Sequence, residues 1–157
     1  MKTTKAILLT AILFTLPAVT GCTQPDGYIG DWFGTWYLEE MLLDGEPDQV
    51  YADFKAKDEH QVVVSFQANV VNFSYLNGSE IYGTWSYAGD TLTLISSYSS
   101  GAGHTSYWFD PYPIVMHFPS GQDQLEVTVT RLGSRAMQWQ YVIPSGQLVT
   151  YNFRKYP

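Results

Sequence analysis

The chain contains one thiol, Cys22, which stands at the end of the run Val19-Thr20-Gly21-Cys22. A single cysteine excludes an internal disulfide scaffold and a multi-cysteine metal site. His60, His104 and His117 are far apart in sequence and lack paired ligand spacing, so no metal site is predicted. Asp44, Glu46, Asp48 and Asp53 superficially resemble a calcium loop, but Pro47 interrupts it and the ligand pattern is missing. A solvated acidic loop is the expectation there. The chain has no Gly-x-Ser-x-Gly elbow, His-Glu-x-x-His pair or phosphate-cradling glycine loop. The expectation is therefore a protein without catalytic activity and without a cofactor.

What remains is chemistry of binding. Glu39 and Glu40 are neighbours on an extended run, so they point to opposite faces. If Trp36 and Leu38 face a core, parity sends Glu40 inward as well. A buried carboxylate is costly unless paired or wet. It could hold a polar group of a ligand, or sit at a rim, or be turned out by a bulge. Tyr75, Tyr141 and Tyr151 each carry a polar tip on an apolar body. Together with Trp85 they are the candidates for lining a ligand cavity, which needs a few placed polar groups. A second candidate is the aromatic run Tyr107-Trp108-Phe109-Asp110-Pro111-Tyr112 in the long connection 97–120. There Tyr107, Trp108 and Tyr112 could recognise a glycan or a protein, fold over as a lid, or pack as a small second core.

These side chains need a scaffold, and the hydropathy pattern supplies one. The 157 residues are 45% hydrophobic and 16% aromatic, which excludes a mostly disordered chain. The net charge of −7 argues against nucleic acid as a partner. No long stretch shows helical apolar spacing. Strand-like runs at 35–43, 61–66, 69–76, 80–87, 91–98, 125–132, 135–143 and 149–153 are separated by turn residues instead. Asn77-Gly78 and Ala88-Gly89-Asp90 are hairpin signals, and 49–59 has room for one short helix or a loop. The segment 114–118 could add a further strand. Alternation along these runs nominates Trp36, Leu38, Val64, Phe66, Phe73, Trp85, Leu92, Leu94, Val127, Val129, Trp139 and Phe153 for the interior. Eight antiparallel strands joined by short turns leave two open edges, and closure into an up-and-down barrel removes them. A β-sandwich is the competing all-β arrangement.

The first residues read as an address. Lys2 and Lys5 precede the apolar run 6–20, which is shorter than the about 20 residues of a membrane span and fits a secretory signal. Val19-Thr20-Gly21-Cys22 resembles the lipobox of bacterial lipoproteins. The resemblance implies a signal peptide 1–21, cleavage before Cys22, acylation of Cys22 and a tether 22–32 leading to a domain 33–157. It also implies a protein anchored in the bacterial cell envelope, with Thr23 directing it to the outer membrane and its periplasmic or exterior side left open. Removal of Lys2 and Lys5 leaves six basic against fifteen acidic residues. That net charge predicts mild repulsion from anionic lipid and a body that stands off the surface.

Three segments of the body carry a second resemblance. Phe33-Gly34-Thr35-Trp36 matches the Gly-x-Trp element of lipocalins and calycins. Tyr82-Gly83-Thr84-Trp85-Ser86-Tyr87 with Gly89-Asp90-Thr91-Leu92-Thr93-Leu94, and the ending Val129-Thr130-Arg131-Leu132, Met137-Gln138-Trp139 and Tyr151-Asn152-Phe153-Arg154-Lys155, resemble bacterial lipocalin-like lipoproteins. The resemblance implies an eight-stranded antiparallel barrel that binds a small apolar or amphipathic molecule. In that family an Arg near the chain end packs on the Gly-x-Trp tryptophan, and Arg154 is the candidate for that role. Alternation would turn Arg154 outward and Lys155 inward. The alternative function is a cell-envelope interaction module, a protease inhibitor included, that works through its surface aromatics.

Overall fold

The computed structural model describes residues 29–57, 61–75, 80–96, 116–118, 122 and 124–157. The expected hairpin turn at Asn77-Gly78 and the candidates Cys22, Tyr107, Trp108 and Tyr112 lie outside them. Along the chain, a 3-10 turn at Gly30–Trp32 precedes β1 (Gly34–Leu43), the two-residue β2 (Glu46–Pro47) and helix α1 (Gln49–Ala56). Then follow β3 (Val62–Gln67), β4 (Val70–Tyr75), β5 (Glu80–Ala88), β6 (Thr91–Ser96), β7 (Gln124–Leu132), β8 (Ala136–Val142) and β9 (Leu148–Lys155).

Each long strand pairs antiparallel with the next, and β1 pairs with both β3 and β9, so the sheet closes on itself. β1 and β3–β9 form an eight-stranded up-and-down barrel, and β2 hangs on the end of β1 as a short flap. The sandwich alternative is excluded by the β1–β9 pairing. Turn chemistry explains the short connections. Asp44 and Gly45 have φ of 51° and 90°, the paired positive values that a two-residue type I′ turn requires.

Alternation places the core inside the barrel. Of the twelve residues nominated for the interior, eleven are buried and Trp85 is half-buried. Burial of an aromatic side chain removes roughly 150–250 Å² from water, which makes these the dominant apolar contribution to the fold.

Parity breaks once in β1. Leu38 pairs with Phe153 and Glu40 with Asn152, so β1 carries one extra residue at Glu39. The bulge rotates the strand: Glu40 is exposed and Met41 is 1% exposed. Glu40 therefore stands on the outer wall, where its Oε2 accepts a hydrogen bond from Asn152 Nδ2 at 2.9 Å. It does not line the interior, because the bulge gives the inward position to Met41.

The two barrel ends are closed differently. At the end where β1 starts, Trp32 from the 3-10 turn is buried against Phe66, Trp85 and Tyr87, with ring centroids 4.9, 5.1 and 5.0 Å away. Ile29 and Trp32, which fall in the expected tether 22–32, are thus packed into the core. Trp36 donates its indole N–H to the Trp32 carbonyl at 3.1 Å, and Lys155 Nζ lies 5.0 Å from the centre of the Trp36 ring. The inward parity of Lys155 is what brings its amine there. Gly34 has φ of 114°, and a Cβ at this position would stand 3.0 Å from Lys155 Cε. The glycine thus admits both the backbone turn and the lysine stem.

Candidate functional site

The opposite end, where β1 finishes and β9 begins, is covered by two pieces of chain that are not barrel strands. One is α1. Asp48 caps it, accepting from the Tyr51 N–H at 2.7 Å, and Tyr51 donates its hydroxyl to the Leu38 carbonyl at 2.6 Å. Tyr51 and Phe54 are the buried residues of this helix, so they fix its face against the barrel.

The other piece is Met116-His117-Phe118. Sequence reading allowed a strand at 114–118. The three residues described there are not extended, and His117 has φ of 54°. The kink sends Met116 and Phe118 into the core, at 0% and 3% exposure, with His117 on the other side. Tyr151 donates its hydroxyl to the Met116 carbonyl at 2.6 Å. The Phe118 ring lies 5.3 Å from Tyr151 and 6.4 Å from Tyr141. His117 Nε2 meets Asp48 Oδ2 at 2.7 Å. One aspartate therefore holds both coverings, with Oδ1 on the helix and Oδ2 on the histidine.

The electrostatics of this end favour neutral tyrosines. Burial pushes the Tyr151 hydroxyl well above its ordinary range, and the neighbouring Tyr141 and Asp48 add to the effect. Burial raises Tyr51 and Tyr141 also. Tyr51 and Tyr151 donate their hydroxyl protons to the Leu38 and Met116 carbonyls.

The sequence candidates are thus divided. Tyr141 and Tyr151 meet at this end, Tyr141 half-buried and Tyr151 fully buried. Tyr75 ends β4 opposite Val62, at the same end of the barrel. Trp85 is at the far end in the aromatic plug, with its indole nitrogen buried and unpartnered among the described residues. Glu40 lies outside, beside a surface groove of about 430 Å³ between β1 and α1.

Asp48, Tyr51, Met116, His117 and Phe118 were not singled out from sequence as a site. Asp48 was expected in a solvated loop, and it is 6% exposed because the helix cap and the histidine both draw it inward. Its position before Gln49, the start of an 8-residue helix, is the one signal that could have marked it as a cap. Among the described residues no three His, Cys, Asp or Glu side chains come together as a metal site.

Comparison with known proteins bears on this arrangement. The model of the lipocalin-like domain matches residues 33–112. A crystal structure of a lipocalin-like protein from Bacteroides uniformis superposes with a TM-score of 0.54 at 17% identity, covering 81% of this chain and all of that one. An uncharacterized protein from Bacteroides eggerthii superposes with a TM-score of 0.54 at 19% identity, covering 80% of this chain and 99% of the other. At these identities the two structures share the fold. No curated protein matches the chain.

Proposed function

The chain belongs to the lipocalin-like domain family, and from that premise we propose that it is a non-catalytic, membrane-tethered binding protein for one small apolar or amphipathic molecule. The observation that carries the reading is the way the α1 end of the barrel is filled. The Phe118 ring packs on Tyr141 and Tyr151, and the Met116 carbonyl takes the Tyr151 hydroxyl, from a connection rather than from a strand. An apolar molecule can replace the ring of Phe118 without disturbing any strand pairing. It then finds apolar walls with the Tyr141 and Tyr151 hydroxyls as polar partners, the composition that small-ligand sites share.

The anchor is the second part of the reading. Its support is the lipobox-like Val19-Thr20-Gly21-Cys22 behind a basic start and an apolar run. Two or more acyl chains on Cys22 would hold the protein stably at a bilayer, and Thr23 favours the outer membrane.

Native mass spectrometry tests the ligand. Protein exposed to an envelope lipid extract is expected to retain one adduct per chain, and Phe118→Ala is expected to raise the adduct fraction. A chain that stays bare in both forms overturns the reading. Mass analysis from a lipoprotein-processing host tests the anchor, with an acylated Cys22 expected as the first residue.

A further inference from the structure

The acidic net charge conceals a polar distribution. Asp44, Glu46, Asp48 and Asp53 belong to the α1 end of the barrel, on the β1–β2 turn and the start of the helix. The opposite end collects cations. Strand β7 runs toward it with Arg131 as its second-last residue, the β7–β8 turn carries Arg135, and β9 finishes with Arg154 and Lys155. These are four of the eight basic residues of the whole chain. Ser134, Arg135, Arg154, Lys155, Tyr156 and Pro157 line a cleft of about 410 Å³ there.

The charges are not all spent on neighbours. Arg154 pairs with Glu39 at 2.9 Å, and Lys155 donates to the Asp31 carbonyl at 3.2 Å while lying over Trp36. Arg131 and Arg135 are exposed and have no side-chain partner among the described residues. The opposing acids described at this end are the exposed Asp31 and Asp90, together with Glu39, which is taken up by Arg154. The eight residues of β9 span roughly 26 Å, and the Debye length at physiological salt is about 8 Å. The acidic end is therefore screened from anything that touches the basic one.

The same end exposes apolar rings. Phe33 is 44%, Tyr87 39% and Tyr156 60% exposed. Aromatic rings beside arginines are the composition of a surface that sits at a headgroup layer. The chain enters the barrel here as well, at Ile29, and Cys22 lies seven residues earlier, a reach of at most about 25 Å.

We infer that this end of the barrel is a docking face for an anionic phospholipid bilayer, with Arg131 and Arg135 as its free charges. The geometry rests on the anchor reading, since an acyl group on Cys22 would hold this end, rather than the ligand mouth, toward the membrane. The charge argument stands without it. Contact through this face leaves the Tyr141–Phe118 mouth pointing away from the lipid, open to the aqueous side.

The test uses residues 22–157 with Cys22→Ser, so that only the folded body can bind. The β1–β9 pairing that closes the barrel draws on none of residues 1–21. Co-sedimentation is measured with vesicles of three parts phosphatidylglycerol to seven parts phosphatidylcholine, and with phosphatidylcholine alone. Binding is expected to the anionic vesicles only, and to be lost at high salt. Arg131→Glu with Arg135→Glu is expected to weaken it at least about tenfold, while Arg131→Lys with Arg135→Lys retains it. Circular dichroism confirms that each variant is folded. Equal partitioning to both vesicle types, no binding to either, or full binding by the folded double-Glu variant overturns the proposal. Absence of acylation on Cys22 in the full chain would remove the anchor and leave the vesicle result to be judged alone.

Discussion

Asp48 and His117 are 69 residues apart in sequence and meet at 2.7 Å across the mouth of the barrel. The same carboxylate caps α1 through its other oxygen, at 2.7 Å from the Tyr51 N–H. The helix and the Met116-His117-Phe118 turn are thus fastened to one buried side chain, and loosening either should loosen the other.

Asp48→Ala is expected to lower stability by about 2–4 kcal/mol, combining a lost helix cap of ~1 kcal/mol with a lost charge-assisted hydrogen bond. His117→Ala removes only the second contribution and should cost about 1–3 kcal/mol. Urea unfolding of both single variants and the double variant forms a cycle. A coupling near 1 kcal/mol or above confirms the shared fastening, and strict additivity contradicts it.

Gly34 makes a sharper case for one residue. Its φ of 114° is a conformation that side-chain-bearing residues rarely adopt, and a Cβ would press on Lys155 Cε at 3.0 Å. Gly34→Ala is expected to cost roughly 1–3 kcal/mol from backbone strain alone. The lysine stem should also shift off Trp36, which a change in tryptophan emission would report. Gly45→Ala, where nothing lies within 4 Å but φ is also positive, separates strain from contact. An equal loss in both variants would mean that the lysine contact contributes nothing.

Most of the barrel was legible because strand alternation is a local pattern with period two. The inward set from Trp36 to Phe153 could be read from it, and so could the inward parity of Lys155. The error at Glu40 has the same origin. Parity carried from Trp36 and Leu38 points residue 40 inward, whereas the bulge between Leu38 and Glu40 resets the count and buries Met41. The site was less legible because its members lie on different elements. No periodicity links Asp48, ahead of a helix, to His117 in a turn, and only the closed barrel brings them together. Tyr141 and Tyr151 could be nominated because an alternating strand with a polar-tipped inward residue is itself a signal. Trp85 shared that alternation, but an inward side chain at the other end of the barrel becomes part of the Trp32 plug.

The buried tyrosines predict a pH dependence of known sign. Burial raises the Tyr51 and Tyr151 hydroxyls above their unfolded values near 10. The folded state therefore keeps protons that the unfolded state releases. Stability from this source is fully present below about pH 10 and falls as pH rises further, by up to ~1.4 kcal/mol per pH unit for each tyrosine. Urea midpoints measured from pH 8 to 11 should decline accordingly. Tyr151→Phe should flatten the decline while lowering stability at pH 8, because the Met116 carbonyl loses its donor. Tyr156→Phe, at an exposed position, should leave the slope unchanged. An unaltered slope in Tyr151→Phe would show that this hydroxyl is not the proton retained.

Two fully buried tryptophans allow a comparison in which size is held constant. Trp36 donates to the Trp32 carbonyl and lies under Lys155, whereas the indole nitrogen of Trp139 has no hydrogen-bond partner among the described residues. Replacement of either by Phe removes the same volume and leaves a similar void. Trp36→Phe in addition strips a buried carbonyl of its donor and weakens the cation–π contact, costs of about 1–3 and 0.5–1 kcal/mol. Trp139→Phe removes a donor that is unsatisfied, which offsets part of the cavity cost. Trp36→Phe is therefore expected to be the more destabilising by roughly 1–3 kcal/mol in urea unfolding. If Trp139→Phe proves equal or worse, its indole N–H must have a partner when the protein is in solution, with a buried water or a ligand acceptor in the barrel as the group to seek.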